Sequence, residues 1–143
     1  MKIERVDHVH IYVKELSKAR EFFADLLGTR FSGTMGGEEV GFRSVVSPFG
    51  IELLEGTSPD SDVGKAVAKR GEGLAAISLK VDNIAEVEEH FKKRGIRVLG
   101  RIDHKGLKEV WFHPRDTFGV MVELCEYDAD HPAYTVLSRG ENK

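Results

Sequence analysis

Three side chains that could bind a metal ion occupy matching places in two similar halves of the chain. His8 lies in DHVHIYVKELSKAREFFADLLGTRF, Glu52 in FGIELLE and Glu123 in FGVMVELCE. One imidazole and two carboxylates suit a divalent ion such as Co, Ni, Mn, Fe or Zn, with positions left open for water and substrate. Such a site stabilises an enolate or oxyanion on a chelated substrate. The three residues therefore predict a divalent metal site.

The fourth position of this pattern is an alanine. When LAAISLKVDNIAEVEEHFKKRGIRV is superimposed on the first segment so that Ala76 falls on His8, Val81 falls on Val13. A methyl group cannot bind a metal, so Ala76 is a vacant ligand position. His10 is a candidate substitute, because residues two apart on a strand share a face at a spacing of about 6.6 Å. A role for His10 in lining the cavity or in hydrogen bonding within it is equally open.

Both glutamates have apolar neighbours in the sequence. Glu52 follows Ile51, and Glu123 is predicted to share a strand face with Met121 and Cys125. A carboxylate among apolar side chains is costly to bury unless it is paired or binds a cation. Taken singly, a strand histidine is more often a core or surface residue, and a glutamate is more often solvated. Their joint placement by the repeat favours the metal site.

Hydrophobic periodicity predicts the same order of elements in both halves. Alternating apolar residues indicate strands, and apolar residues at helical spacing indicate helices. Gly28 is expected to end the first helix, and Asp82 or Asn83 to cap the second. The first half is predicted as strand Arg5–Val13, helix Leu16–Leu27 and strands Thr29–Ser32, Glu39–Val46 and Ile51–Glu55, and the second as strand Leu74–Val81, helix Ile84–Lys93 and strands Arg97–Gly100, Lys108–His113 and Val120–Tyr127.

Two consecutive βαβββ modules must each bury one face of a curved sheet. The predicted fold is therefore of the α+β class, with two tandem modules that form an open barrel around a central cavity. We expect one domain over residues 1–143, divided into module 1 (1–56), a linker (57–73) with one short amphipathic helix, module 2 (74–127) and a C-terminal tail (128–143). Strand alternation puts His8, His10 and Tyr12 on one face.

Composition narrows the classes of function. The chain has 143 residues, 41% of them hydrophobic, which is enough for one well-buried domain. A net charge of −3 gives no electrostatic case for binding nucleic acid or an anionic membrane. Neither a membrane-length apolar run nor a secretory signal is visible, and the single cysteine, Cys125, excludes an internal disulfide. We therefore expect a cytoplasmic protein that binds neither nucleic acid nor membrane.

Longer stretches of the chain resemble a known superfamily. The stretches VDHVHIYVKELSKAREFFADLLG, IELLEGTSPDSDVGKAVAKRGEGL, VDNI and WFHPRDTFGVMVEL are similar to the vicinal oxygen chelate superfamily, also called the glyoxalase and bleomycin-resistance superfamily. Within it, the linker and the His113-Pro114 pair are most like the methylmalonyl-CoA epimerase family. The resemblance implies a divalent metal bound through His8, Glu52 and Glu123.

Two positions depart from that family pattern. Two histidines of the family are replaced here by Ala75 and Ala76, and the second of those histidines is a metal ligand. The family also uses a glutamate on the third strand as an acid/base, whereas the matching stretch VGFRSVV contains no carboxylate. Glu123 and Glu52 are then the candidate catalytic carboxylates.

Two further residues are candidates for substrate binding. Arg43, if it points into the cavity, suits a substrate carboxylate or phosphate through a forked hydrogen bond. A solvated surface arginine is the alternative. Tyr12 lies on the predicted cavity face.

The leading hypothesis is a metal-dependent isomerase, epimerase or lyase that abstracts a proton alpha to a carbonyl. Its substrate would be an acyl-CoA thioester or a small 2-oxo or 2-hydroxy acid. A metal-free protein that only binds a small molecule is the first alternative, because Ala75 and Ala76 would enlarge an apolar cavity. A non-haem iron dioxygenase is the second, and it would need His10 to complete two histidines and a carboxylate. The resemblance also implies a homodimer.

Overall fold

The computed structural model describes residues 1–104 and 106–128, without the side chain of His104, so the predicted tail lies outside the described residues apart from Asp128. Both modules have the predicted βαβββ order, and the α+β class is confirmed. The described elements are β1 (Ile3–Tyr12), α1 (Leu16–Leu27), β2 (Met35–Gly37), β3 (Phe42–Val46), β4 (Ile51–Gly56), α2 (Asp62–Arg70), β5 (Gly73–Val81), α3 (Ile84–Lys92), β6 (Val98–His104), β7 (Leu107–Phe112) and β8 (Met121–Glu126), with a short 3-10 helix at Pro114–Asp116.

The helix ends follow from local chemistry. Gly28 ends α1 in the left-handed conformation, with φ of 59°, as predicted. Asn83 caps α3, because its side chain accepts a hydrogen bond from the backbone N–H of Glu86. The linker contains the predicted short helix, α2, and Ser61 caps it by accepting from the N–H of Gly64.

The second strand of module 1 was predicted in the wrong place. Residues Thr29–Ser32 form no strand, and the strand lies instead at Met35–Gly37, where it pairs antiparallel with β3. Gly36 has a positive φ of 81° and lies within the strand pair, opposite Arg43. An added Cβ there would meet the carbonyl oxygen of Phe42, so only glycine allows this pairing.

The described residues divide into two compact units, and β1 contributes to both. Of the described residues, the first unit comprises 1–9, 75–104 and 106–128. Its strands lie in the order β1-β5-β8-β7-β6, with β5 and β8 parallel. Helix α3 covers one face of this sheet, and the core beneath it consists of Val81, Ile84, Val87, Val110, Phe112 and Leu124.

The second unit comprises residues 10–74. Its strands lie in the order β2-β3-β4-β1, and β3 and β4 are antiparallel. Helix α1 packs on one face, where the core consists of Val13, Leu16, Phe31, Val45 and Leu53. In both units one sheet face is therefore covered by a helix, and the polar candidates lie on the opposite face. The prediction that the two modules make one domain stays a prediction.

None of the helices in the described part of the chain is long and apolar enough to cross a membrane.

Candidate metal-binding site

In the second unit, a histidine and a glutamate contact each other on the face away from α1. Glu52 on β4 is paired in register with Val46, and its neighbour Leu53 points into the core instead. His10 Nε2 lies 3.2 Å from Glu52 Oε2, and both side chains are largely buried. The structure therefore places His10 beside a predicted metal ligand rather than at the surface.

Strand β1 carries a second imidazole close to His10. His8 and His10 are two residues apart, and their potential ligand atoms lie within 4.8 Å of each other, as do those of His10 and Glu52. Imidazole nitrogen and carboxylate oxygen are the donors that borderline divalent ions take in proteins. The donor set along β1 and β4 thus fits the divalent metal that the sequence predicts.

In the first unit, Glu123 is held on the face away from α3. It lies in register with Ser78 across the parallel pair β5–β8, and the Ser78 hydroxyl donates to Glu123 Oε1 at 2.8 Å. His8 Nε2 lies 3.6 Å from the same oxygen. Glu123 is 5% exposed, so both contacts form away from bulk water, where charge interactions are strong.

The vacant position, Ala76, lies on the Glu123 face of β5. It is fully buried and is paired in register with Met121, two residues before Glu123. In the repeat, Ser78 falls on His10 just as Ala76 falls on His8. The second module therefore has no imidazole at either of the two positions where β1 has one, and a hydroxyl donates to its glutamate instead.

A carboxylate that the sequence analysis did not single out stands behind His8. Asp7 Oδ2 lies 2.9 Å from His8 Nδ1, and Asp7 Oδ1 accepts from the Tyr127 hydroxyl at 2.5 Å. Burial raises the pKa of Asp7, but hydrogen bonds from His8 and Tyr127 and the charge of Arg5 outweigh burial and hold the pKa below its usual value. Asp7 is therefore an anion on the far side of the imidazole.

Two weakly acidic groups near Asp7 and Glu123 remain neutral. Burial raises the pKa of the Cys125 thiol, and burial together with the hydrogen bond to Asp7 raises the pKa of the Tyr127 phenol. Cys125 is almost fully buried. Neither group is a nucleophile at neutral pH.

The predicted substrate residues divide between the two sheet faces of the second unit. Tyr12 is buried and, by alternation, shares the face of His10. Arg43 is paired across β3–β4 with Glu55, and its Nη2 lies 3.8 Å from Glu55 Oε1. The Arg43–Glu55 pair lies on the sheet face that α1 covers. Arg43 was predicted to bind substrate only if it points into the cavity, and within this unit it lies on the other face.

Asp7 and Ser78 are the two site residues that sequence reasoning missed. Ser78 could have been predicted from the sequence, because the repeat places it at the position that corresponds to His10. Asp7 immediately precedes His8, but alternation puts neighbouring residues on opposite faces, and only the folded backbone shows that its side chain reaches the imidazole.

Comparison with known proteins identifies the family. The model of the Glyoxalase/Bleomycin resistance protein/Dioxygenase superfamily matches residues 5–124. The chain belongs to this superfamily. That membership confirms the resemblance inferred from the sequence.

Several relatives within the superfamily are methylmalonyl-CoA epimerases. The chain is 33% identical over 130 residues to the mitochondrial methylmalonyl-CoA epimerase of Mus musculus, covering 86% of this chain and 73% of the mouse protein. It is 34% identical over 127 residues to the Homo sapiens enzyme, covering 84% and 72%. A Bacillus subtilis protein of uncharacterised function, YqjC, is 30% identical over 134 residues, covering 90% and 96%.

Solved structures show the same likeness. A methylmalonyl-CoA epimerase in complex with methylmalonyl-CoA and NH4+ matches with a TM-score of 0.80 and 31% identity, covering 90% of this chain and 97% of that one. A Streptomyces coelicolor methylmalonyl-CoA epimerase variant in complex with 2-nitronate-propionyl-CoA also matches with a TM-score of 0.80 and 31% identity, covering 90% and 100%.

Proposed function

We propose that this protein is a metal-dependent epimerase or isomerase that removes a proton alpha to the thioester carbonyl of an acyl-CoA. The observation that carries this proposal is the group of imidazole and carboxylate ligands along β1 and β4, in a chain whose relatives include methylmalonyl-CoA epimerases. The nitronate-bound relative supports the chemistry, because a nitronate resembles a planar enolate.

The proposed metal ligands are His8, Glu52 and Glu123. We assign His10 as the substitute for the histidine that is absent at position 76, because His10 already contacts Glu52. When bound, a divalent ion at these residues supplies Lewis acidity that stabilises an enolate oxygen. The identity of the metal belongs to this proposal.

The proposed proton carriers are the carboxylates of Glu52 and Glu123. An epimerase must remove the alpha proton on one face and return it on the other, so it needs two proton-carrying groups. The third strand provides none, because β3 runs Phe42–Val46 without a carboxylate, and Ser44 is the buried polar residue there. His10 contacts Glu52, and the Ser78 hydroxyl donates a hydrogen bond to Glu123.

The remaining assignments rest on the same proposal. Tyr12, rather than Arg43, is the proposed substrate-facing residue, since it shares the face of His10. An acyl-CoA is the favoured substrate, and a small 2-oxo or 2-hydroxy acid is the second choice. A homodimer and a cytoplasmic location stay predictions.

The test combines metal binding with proton exchange. Metal-free protein is titrated with Co²⁺ by calorimetry, and the loaded protein is incubated with methylmalonyl-CoA in deuterated water while loss of the alpha proton is followed by NMR. We expect about one equivalent of Co²⁺ and metal-dependent exchange. The variants Glu52→Gln and Glu123→Gln should each weaken Co²⁺ binding by roughly tenfold or more and abolish exchange.

A matched control uses Glu89→Gln, which makes the same change at an exposed glutamate on α3 and should alter neither result. Absence of metal uptake by the unmodified protein would refute the proposal and favour the metal-free binding protein. Metal uptake without exchange in any acyl-CoA ester would refute the acyl-CoA epimerase and leave the metal site.

One observation favours a second candidate function. His8, His10 and Glu52 have the two-histidine, one-carboxylate composition of non-haem iron oxygenases. That function predicts oxygen uptake by protein loaded with Fe²⁺ but not with Co²⁺, in the presence of a chelating substrate such as a 2-oxo acid. Equal proton exchange with both metals and no oxygen uptake would exclude it.

A further inference from the structure

Asp7 binds the nitrogen of His8 that points away from Glu123. His8 Nδ1 lies 2.9 Å from Asp7 Oδ2, whereas His8 Nε2 lies 3.6 Å from Glu123 Oε1. The Asp7 side chain is only 2% exposed, so water has little access to this contact. The imidazole is therefore held between two carboxylates that meet its two different nitrogens.

The hydrogen-bond donors around Asp7 determine which atoms carry protons. Asp7 Oδ1 accepts from the Tyr127 hydroxyl at 2.5 Å and from Arg5 Nη2 at 2.9 Å. An ionised carboxylate only accepts hydrogen bonds, so the contact between Asp7 Oδ2 and His8 requires that Nδ1 carries the hydrogen. In a neutral imidazole, Nε2 then carries no hydrogen and is the nitrogen with the lone pair.

We infer that Asp7 is a positioning residue that fixes His8 in the Nδ1–H tautomer, so that Nε2 is presented to a divalent cation beside Glu123. This inference rests on the proposed cation-dependent function and adds a residue to it. Outer carboxylates that hold metal-binding histidines in this way orient the ring and raise the basicity of the ligating nitrogen.

The isosteric substitution Asp7→Asn gives a directional test. Arg5 and Tyr127 both donate to the Oδ1 position, so the new amide must place its carbonyl oxygen there and its NH2 group toward His8. The NH2 group is a donor and forces His8 Nδ1 to accept. The variant should therefore invert the tautomer, put the hydrogen on Nε2 and block the nitrogen that we assign to the cation.

The tautomer is read directly by two-dimensional ¹H–¹⁵N NMR of the imidazole rings, on metal-free protein at an alkaline pH where the rings are neutral. We expect the Nδ1–H form of His8 in the unmodified protein and the Nε2–H form in Asp7→Asn. A calorimetric titration should show the affinity for Co²⁺ reduced by roughly 10- to 100-fold in the variant. The d–d absorption bands of bound Co²⁺ should change as well.

Two control variants separate positioning from general damage to the fold. Tyr127→Phe removes a donor to Oδ1 but keeps the contact of Oδ2 with His8, so it should retain the Nδ1–H tautomer and a Co²⁺ affinity within about threefold of normal. Asp116→Asn makes the same chemical change at a carboxylate paired with Arg97 and should leave both readouts unchanged.

An Nε2–H tautomer in the unmodified protein would overturn the inference without any variant, even if Asp7→Asn fails to fold. An unchanged tautomer or an unchanged Co²⁺ affinity in a folded Asp7→Asn variant would overturn it too. Failure of the proposed function looks different. In that case no form of the protein binds Co²⁺, and the proposed role of Asp7 in presenting Nε2 to a cation is refuted as well. An inverted tautomer in Asp7→Asn would still show that Asp7 determines the tautomer of His8.

Discussion

The contact between Trp111 and Gly100 links the outer strands of the first unit to the strand that carries Glu123. Trp111 on β7 is paired in register with Gly100 on β6 and with Glu123 on β8. A Cβ added at Gly100 would lie 2.5 Å from Trp111 Cζ2 and 2.7 Å from Cε2. The indole therefore packs directly on the glycine backbone. We predict that Gly100→Ala displaces Trp111 and destabilises the protein.

The size of the effect follows from these distances. Carbon atoms in contact prefer a separation of about 3.5–4.0 Å, so the indole must withdraw by about 1 Å. Gly100 is not among the glycines with positive φ, so an alanine adds steric overlap without backbone strain. Overpacking of this kind costs about 1–3 kcal/mol. With a urea m-value of about 2 kcal/mol/M, the unfolding midpoint should fall by roughly 0.5–1.5 M.

The assay uses the fluorescence of Trp111, which is the only tryptophan of the chain. Gly100→Ala should shift the emission of the native state and lower the urea midpoint with an unchanged m-value. In a Trp111→Leu background, monitored by circular dichroism, the same glycine substitution should cost less than about 0.5 kcal/mol, because the overlapping ring is gone. Equal costs in both backgrounds would show that the indole contact is not the cause.

Three further predictions concern the polar groups. Ser78→Ala should lower the unfolding free energy of metal-free protein by about 1.5–3 kcal/mol in urea titrations, because it removes a buried donor to the charged Glu123; a loss below about 0.5 kcal/mol would contradict this. Asp116→Asn should destabilise the protein at neutral pH, since Arg97 lowers the pKa of Asp116 to about 2. The difference in urea midpoint between the variant and the unmodified protein should shrink as pH falls from the usual pKa of 3.8 toward 2. A difference that does not depend on pH would refute this. Ala76→His should tighten Co²⁺ binding in calorimetry but destabilise the metal-free protein by about 1–3 kcal/mol, because position 76 is fully buried; unchanged affinity would remove this position from the site.

Hydrophobic periodicity was sufficient to locate the long helices and strands in the sequence, because each of them buries one apolar face against a single layer of the fold. Helix α1 has the predicted bounds, β4 and β5 each differ from prediction by one residue at one end, and β8 is one residue shorter at both ends. The failures are local. Strand β2 contains two glycines, and the 3-10 helix at Pro114–Asp116 depends on the His113 side chain, which accepts from the N–H of Arg115. Neither leaves a periodic apolar signal.

The site shows a second limit of sequence reasoning, which concerns the face on which a side chain lies. Glu52 and Arg43 lie on neighbouring strands, and the length of the connection between them decides whether they share a face. The register pairs Val46 with Glu52 and Arg43 with Glu55, so the two candidates separate. A register shifted by one residue would have put Arg43 opposite Leu54, on the sheet face of Glu52. Single-sequence patterns do not determine such a register.

The equivalent glutamates of the two modules, Glu52 and Glu123, have different contacts, and this difference predicts which substitution weakens metal binding more. In module 1, Glu52 contacts His10, a second potential ligand, whereas in module 2, Glu123 accepts from Ser78, which only donates a hydrogen bond in that contact. A cation would compete with the Ser78 hydroxyl for Glu123 but would recruit His10 together with Glu52. We therefore expect Glu52→Gln to weaken Co²⁺ binding more than Glu123→Gln does. Ser78→Ala should strengthen Co²⁺ binding, even though it destabilises the metal-free fold. Weaker binding in Ser78→Ala would mean that the hydroxyl orients Glu123 toward the metal rather than competing with it.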